Sequence, residues 1–387
     1  MELCTIIGRR TTQTVLSLAI VSLIIFEFCS PGVSAFTSSY AGTKFGILYE
    51  PWHCLVKDRP IHDISSYLAG REPLGPVPEF HWWSKPAAGY YCLTDNDELL
   101  RKHAAQLSAA GIDFIVIDFS NHDSRSYQYV DVEYLDPLRH LLDVWSKIPD
   151  APKVVPFLQV TPAGDLYEEI VRRLERYQNL LFHFHDKPLL LIVTNSAVPV
   201  DAAKRAALDE RFTTRTMWDD GTAAEWLFIS RCQRGFLENK ATIPCNQAVG
   251  KSGGRVEEIP VAAAFQHDYM SNPATAVPRF GGRTFLRQMA RLDDFEDAPI
   301  VLVLGWNQWM SQRLCVKTDL SPDPICSQGG SAQIHGNPVF TDEYSQEYSN
   351  DMEPGGDMGD TYYRLMACEV MRRKRWPGNL PIACFSN

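Results

Sequence analysis

Residues 109–122 read Ala109-Ala110-Gly111-Ile112-Asp113-Phe114-Ile115-Val116-Ile117-Asp118-Phe119-Ser120-Asn121-His122. A glycine that stops a helix is followed by an apolar run, and the run ends in an acid and a string of small polar residues. A strand apolar on both faces belongs in a parallel sheet, where crossover helices cover both sides. The same form recurs along the chain, in Phe45 to Tyr49, Ile112 to Phe119, Val154 to Val160, Leu189 to Val193, Thr214 to Trp218, Trp226 to Ile229, Pro260 to Phe265 and Ile300 to Trp306. Between the runs lie amphipathic stretches: Asp95 to Ala110, Val132 to Trp145, Asp165 to Tyr177, Asp201 to Arg211, Thr284 to Phe295 and Asp360 to Arg375. Strands alternating with helices in this number predict an α/β fold, a (β/α)8 TIM barrel. From Arg211 to Ser230 the sequence fits either two short strands or one strand and a loop. Three stretches, Cys54 to Thr94, Arg231 to Ile259 and Ser311 to Gly359, are too long for simple connections, and are expected as elaborated loops after strands 1, 6 and 8.

The 387 residues are 45% hydrophobic and 22% charged, a globular profile that excludes disordered, collagen-like and coiled-coil classes. Lys and Arg number 37 against 47 Asp and Glu, so the net charge of -10 argues against nucleic acid or anionic lipid as a partner. The basic run Arg372 to Arg375 ends a helix and suits its dipole. Residues 1–35 read as a signal peptide: Arg9 and Arg10 precede the apolar run Val15 to Phe26, and Val33-Ser34-Ala35 supplies a cleavage site. A secreted or secretory-lumen protein starting at Phe36 is expected, with a single domain over 36–387. The alternative, a type II Golgi anchor, would use an apolar run shorter than the roughly 20 residues that span a bilayer. Ten cysteines fall to eight after cleavage, none in a C-x-x-C pair, which points to disulfides. Cys232 with Cys245 and Cys315 with Cys326 are the local pairings among many that stay open.

Polar residues gather where the strands end, and a barrel presents strand C-termini to one pocket. Glu50 and Asp118 interrupt apolar surroundings, Asp268 follows the seventh strand beside His267, and Asn307 and Gln308 follow the eighth. Trp52, Trp82, Trp83, Trp306 and Trp309 sit in the same regions. Such rings stack on the C–H faces of sugars, and they equally serve to pack a long loop onto a barrel. His53, Asn121 and His267 add hydrogen-bonding capacity. His183 and His185 have the spacing of one strand face but no matching carboxylate cluster, so neither a metal nor another cofactor is expected.

Gly46-Ile47-Leu48-Tyr49-Glu50-Pro51-Trp52-His53 resembles the first strand of glycoside hydrolase family 99 and related barrels. Ala109 to Asp118 resembles their second strand, and Trp306-Asn307-Gln308-Trp309 resembles the Trp-Asn-Glu-Trp of their eighth. The tail, Glu343 to Pro354 and Gly359 to Tyr363, looks like that of family-99-like proteins. The resemblance implies a glycan substrate and hydrolysis by paired carboxylates. It also carries a departure: the family's two catalytic glutamates, in Asn-Glu-Trp-His-Glu, fall on Gln308 and Ser311 here. Glutamine cannot ionise, so the family's endo-mannosidase activity does not carry over. A glycosidase would have to draw on Glu50, Asp118, Asp268 and, from the tail, Asp351 or Glu353. In that reading Asp118 is the ionised partner, held by Asn121 and His122, and Glu50 is the protonated acid, desolvated by Pro51 and Trp52. The alternative is a barrel that binds carbohydrate and has lost the chemistry.

Overall fold

The computed structural model describes residues 42–374 apart from 74, 77–78, 220–221, 230–246, 265–276, 296, 314–332, 335–336, 339 and 342–344. Eight parallel strands form its centre: β1 (Lys44–Tyr49), β2 (Phe114–Phe119), β3 (Lys153–Leu158), β4 (Lys187–Val193), β5 (Thr213–Asp219), β6 (Trp226–Ile229), β7 (Arg255–Ala262) and β8 (Ile300–Leu304). Every apolar run of the sequence became one of them, and the ambiguous stretch from Arg211 to Ser230 holds two. Sheet order follows chain order, and β1 pairs in parallel with both β2 and β8, so the sheet curls back on itself as a (β/α)8 barrel.

Closure between β6 and β7 is made without a direct ladder. A short strand, Gly250–Ser252, runs antiparallel to β7 through the two-residue turn Gly253-Gly254, both at positive φ, as a tight hairpin requires. Its Lys251 N–H donates to the carbonyl of Glu225 at 2.6 Å, beside β6. The fully buried carboxyl of Glu258 completes the seam by accepting the N–H of Leu227 at 3.1 Å. Burial pushes this acid far up, while the N–H donors of Leu227 and Gly250 pull it down less.

Alternation along the strands sorts the core into two layers. Leu48, Phe114, Val116, Phe157, Leu191, Leu302 and Leu304 fill the barrel interior. Ile47, Tyr49, Ile115, Ile117, Ile192 and Val303 face outward against the helices. Gly46 is required inside, since a Cβ there would lie 2.3 Å from the Phe114 ring. Apart from the short helix Ile64–Leu68 in the loop after β1, the α-helices among the described residues are α1 (Asp97–Ala109), α2 (Asp136–Trp145), α3 (Leu166–Leu174), α4 (Ala202–Asp209), α5 (Arg283–Ala290) and α6 (Thr361–Lys374). α1 is capped by the Asn96 side chain on the Leu99 N–H at 2.9 Å and buries Leu99, Leu100, Ala104 and Leu107. The basic end of α6 is taken up by ion pairs of Arg372 with Glu369, Arg373 with Asp293 and Lys374 with Asp113.

The loop after β1 is tied down at both ends. Cys54 and Cys92 form a disulfide across 38 residues, and Phe80–Trp82 pairs antiparallel with Met310–Gln312 from the loop after β8. The disulfide is a longer-range link than the local closures expected, and Cys232, Cys245, Cys315 and Cys326 lie outside the described residues. Cys368 on α6 is disulfide-bonded as well. The signal segment expected over 1–35 also lies outside the described residues. Among the described residues no helix is long and apolar enough to cross a membrane.

Candidate active site

The C-terminal mouth of the barrel holds a cleft of about 550 Å³. Its floor is the top of the interior layer, Leu48, Phe157 and Leu304, and its walls carry three carboxylates, Glu50, Asp118 and Glu133. Two of these follow directly from strand geometry. Tyr49 pairs with Ile117 across β1 and β2, so Glu50 and Asp118 stand one residue further on at the same level of adjacent strands. Both keep the parity of the inward residues Leu48 and Val116 and point into the mouth rather than toward the helices.

Glu50 is 1% exposed, and its main chain is gripped by one side chain: its N–H donates to Asn307 Oδ1 at 2.8 Å, and its carbonyl accepts from Asn307 Nδ2 at 3.1 Å. Asn307 therefore locks the end of β1 to the end of β8. Asp118 accepts the backbone N–H of Ser120 at 2.7 Å. Burial pushes its acid up to about 6, and the bonds from Ser120 oppose the rise only in part. The expected support from Asn121 and His122 is replaced by this short turn. Glu133 comes from the π-helical turn Asp131–Leu135 that leads into α2. Burial raises it to about 7; the phenols of Tyr134 and Tyr127 pull the other way, and the negative charge of Asp118 adds to the rise. His122 stacks on Tyr127 with ring centres 3.6 Å apart, and burial lowers its affinity for a proton.

The remaining wall is aromatic and amide. Trp52, Trp218 and Phe228 line the cleft together with Asn121, Gln308 and Asn350. Trp218 and Phe228 meet edge to face at 5.3 Å. An apolar floor, aromatic walls and a few convergent acids and amides make a site able to hold a polyhydroxylated molecule with apolar faces and to move protons on it.

Several expected site residues lie elsewhere. Trp82, Trp83, Trp306 and Trp309 are at most 1% exposed and form no part of the cleft wall. Trp83 and Trp309 stack on each other at 4.7 Å and 13°, packing the loop after β1 onto the loop after β8. The packing role open to these rings in the sequence is the one they fill, because a fully buried indole has no face left for a sugar. His53 is also buried, its Nε2–H donating to the Asn307 carbonyl at 2.8 Å, and burial lowers its pKa to about 4, so it stays neutral. Glu353, expected as a reserve catalytic acid, is held in a closed buried network. It binds His103 Nε2 at 2.9 Å, the Tyr91 hydroxyl at 2.7 Å and the Trp309 indole N–H at 2.6 Å, and His103 Nδ1 continues to the Tyr49 hydroxyl at 2.8 Å. Burial alone would raise Glu353, but the charge and hydrogen bond of His103, with those of Tyr91 and Trp309, outweigh it and hold the acid low. Its work is to fasten the tail to α1 and the first loop. Asp351 is spent similarly, on the Trp83 indole N–H at 2.5 Å. His267 and Asp268 lie outside the described residues. His183 and His185 lie just before β4, His183 in a two-residue strand paired antiparallel to it, at the opposite end of the barrel, where His185 Nε2 is 3.3 Å from Glu257.

Glu133, Trp218 and Phe228 escaped the sequence reading. The two aromatics lie inside strand runs where any large apolar residue looks like core, and Glu133 lies in what reads as the first turn of a helix.

Comparison with known proteins closes the description. No family model and no curated protein matches the chain. Among solved structures it is similar to the GH99 endo-alpha-mannosidase of Bacteroides thetaiotaomicron in complex with BIS-TRIS-propane, at 12% identity and a TM-score of 0.48, over 87% of this chain and 98% of that one. A second structure of a GH99 endo-alpha-mannosidase from the same organism gives 13% identity and a TM-score of 0.40 over 78% and 84% of the two chains. Both likenesses concern the course of the chain, and at 12–13% identity they set up no residue-by-residue correspondence.

Proposed function

We propose that the protein is a glycoside hydrolase whose substrate lies in the cleft at the barrel mouth. The observation that carries this reading is the gathering of Glu50, Asp118 and Glu133 in one 550 Å³ cleft beside Trp52, Trp218 and Phe228. Glycosidic cleavage needs one carboxylate that is ionised and one that is protonated in the same place, and aromatic walls hold the apolar faces of sugar rings. Asp118, about 6, is the ionised member at neutral pH. Gln308 and Asn350 supply neutral hydrogen bonds to hydroxyl groups. The Cys54–Cys92 disulfide suits an oxidising compartment, and secretion or residence in the secretory lumen belongs to the same proposal.

A second reading is favoured by one observation: Gln308, where the resemblance to family 99 leads one to expect a glutamate, lines the cleft as an amide. In that reading the protein binds a glycan without cleaving it. A hydrolysis and binding screen over oligosaccharides, run with the unaltered protein and with Asp118→Asn, decides between them. The enzyme reading expects turnover that Asp118→Asn lowers by 10³-fold or more while binding survives. Binding without turnover in the unaltered protein, weakened by Trp218→Ala, would replace the enzyme with the binder.

A further inference from the structure

Three buried glutamates among the described residues are held by basic partners. Glu169 is held by Arg172 and Arg173, Glu257 by Arg215 and Glu353 by His103. Glu133 is different. Its side chain is 3% exposed, no Lys or Arg among the described residues pairs with it, its polar neighbours are the phenols of Tyr127 and Tyr134, and its Oε2 makes no hydrogen bond of good geometry. The nearest basic atom is His122 Nε2 at 3.7 Å, on a side chain that is 35% exposed and so reaches from the acid to solvent.

The backbone that carries Glu133 is also unusual. Asp131–Leu135 is a π-turn, a wider coil than the α-helix it feeds, and such turns recur at functional sites because they re-aim a side chain at a local cost in stability. Here the turn puts Glu133 on the cleft wall while its neighbour Tyr134 packs edge to face on Phe119 at 5.3 Å.

We propose that Glu133, and not Glu50, is the acid that protonates the departing oxygen, with His122 as its route to solvent. The inference rests on the glycosidase reading above. The Glu133 carboxyl gives its proton to the glycosidic oxygen as the C1–O bond breaks and its electron pair leaves on that oxygen. Water supplies the new oxygen at C1, and the proton that this water loses restores the acid, directly or through Asp118. The net change is one water consumed and one glycosidic bond replaced by two hydroxyl groups.

The test uses 2,4-dinitrophenyl and phenyl glycosides of the common hexoses in both anomeric forms. Dinitrophenolate leaves without a proton, and phenolate needs one. For Glu133→Gln, cleavage of the phenyl glycosides should fall 10²–10⁴-fold, and that of the dinitrophenyl glycosides less than about 10-fold. Glu50→Gln should show losses that do not depend on the leaving group. Cooperative unfolding of both variants confirms that they fold. An equal loss on both classes for Glu133→Gln, or leaving-group dependence in Glu50→Gln instead, overturns this assignment and leaves the glycosidase reading standing. An unaltered protein that cleaves none of the donors overturns both.

Discussion

Two acids held in a cleft against their ordinary ionisation should make the protein less stable as pH rises. Asp118 moves from 3.8 to about 6 and Glu133 from 4.5 to about 7, both first through burial. A tenfold change in proton affinity corresponds to about 1.4 kcal/mol, so each carboxyl contributes about 3 kcal/mol to the pH dependence of unfolding. The sign follows from the folded state holding the protons more tightly. The stability associated with these protons is fully present below about pH 4, is lost as pH rises through about 6 for Asp118 and about 7 for Glu133, and is gone by pH 8. Asp118→Asn and Glu133→Gln keep the shape and remove the charge. Each variant should therefore gain on the unaltered protein by about 3 kcal/mol between pH 4 and pH 8, close to a hundredfold or more in the unfolding constant. Any cost of the new amide N–H2 is the same at both pH values and drops out of this difference. Urea unfolding at several pH values between 4 and 8, followed by tryptophan fluorescence, measures it. A difference between variant and unaltered protein that stays flat over that range would refute the claim that these two carboxyls are destabilised as anions.

On the proposed mechanism the same two acids set the pH dependence of turnover: activity on a phenyl glycoside should peak between about 6 and 7 and fall about 20-fold two pH units either side of the midpoint, with Asp118 ionised and Glu133 protonated. A plateau up to pH 9 would contradict this. Replacing Cys54 and Cys92 by Ser should lower unfolding stability by about 4 kcal/mol, from a loop of 38 residues, as read in chemical denaturation under non-reducing conditions. Trp309→Ala should cost about 3–5 kcal/mol of stability, because it deletes a buried ring stacked on Trp83 and leaves Glu353 one donor short. An unchanged melting curve would return Trp309 to the list of sugar contacts. Ser311→Glu should destabilise by about 3 kcal/mol or more without restoring activity, since position 311 is fully buried opposite His81 in the loop-to-loop strand pair and faces no cleft.

The barrel was legible because strands buried on both faces leave unbroken apolar runs, and all eight runs became strands. The seam was harder: its hairpin at Gly253-Gly254 lies inside the stretch from Arg231 to Ile259 expected as a loop, and the part played by Glu258 depends on two strands failing to meet. At the site, Glu50 and Asp118 stand out because an acid at the end of an apolar run has few structural uses. Glu133 has no such signature, since an acid in a first helical turn is ordinary and only the path of the loop over the mouth makes it part of the cleft. The tryptophans erred in the other direction. A ring in a loop suggests a surface, whereas here the loops after β1 and β8 press together so closely that Trp83 and Trp309 are buried as a continuation of the outer core.

The locks around the site join chain segments about 260 residues apart: Glu50 with Asn307, Trp83 with Asp351, Tyr91 with Glu353. A ribosome thus makes Glu50, Asp118 and Glu133 long before it makes anything that fixes the wall around them. Until β8 emerges, β1 lacks one of its two neighbours. The surroundings of the cleft are thus completed by the last part of the chain, and a polypeptide cut short after β8 keeps all three acids yet lacks Asp351 and Glu353, the anchors that hold those surroundings in place.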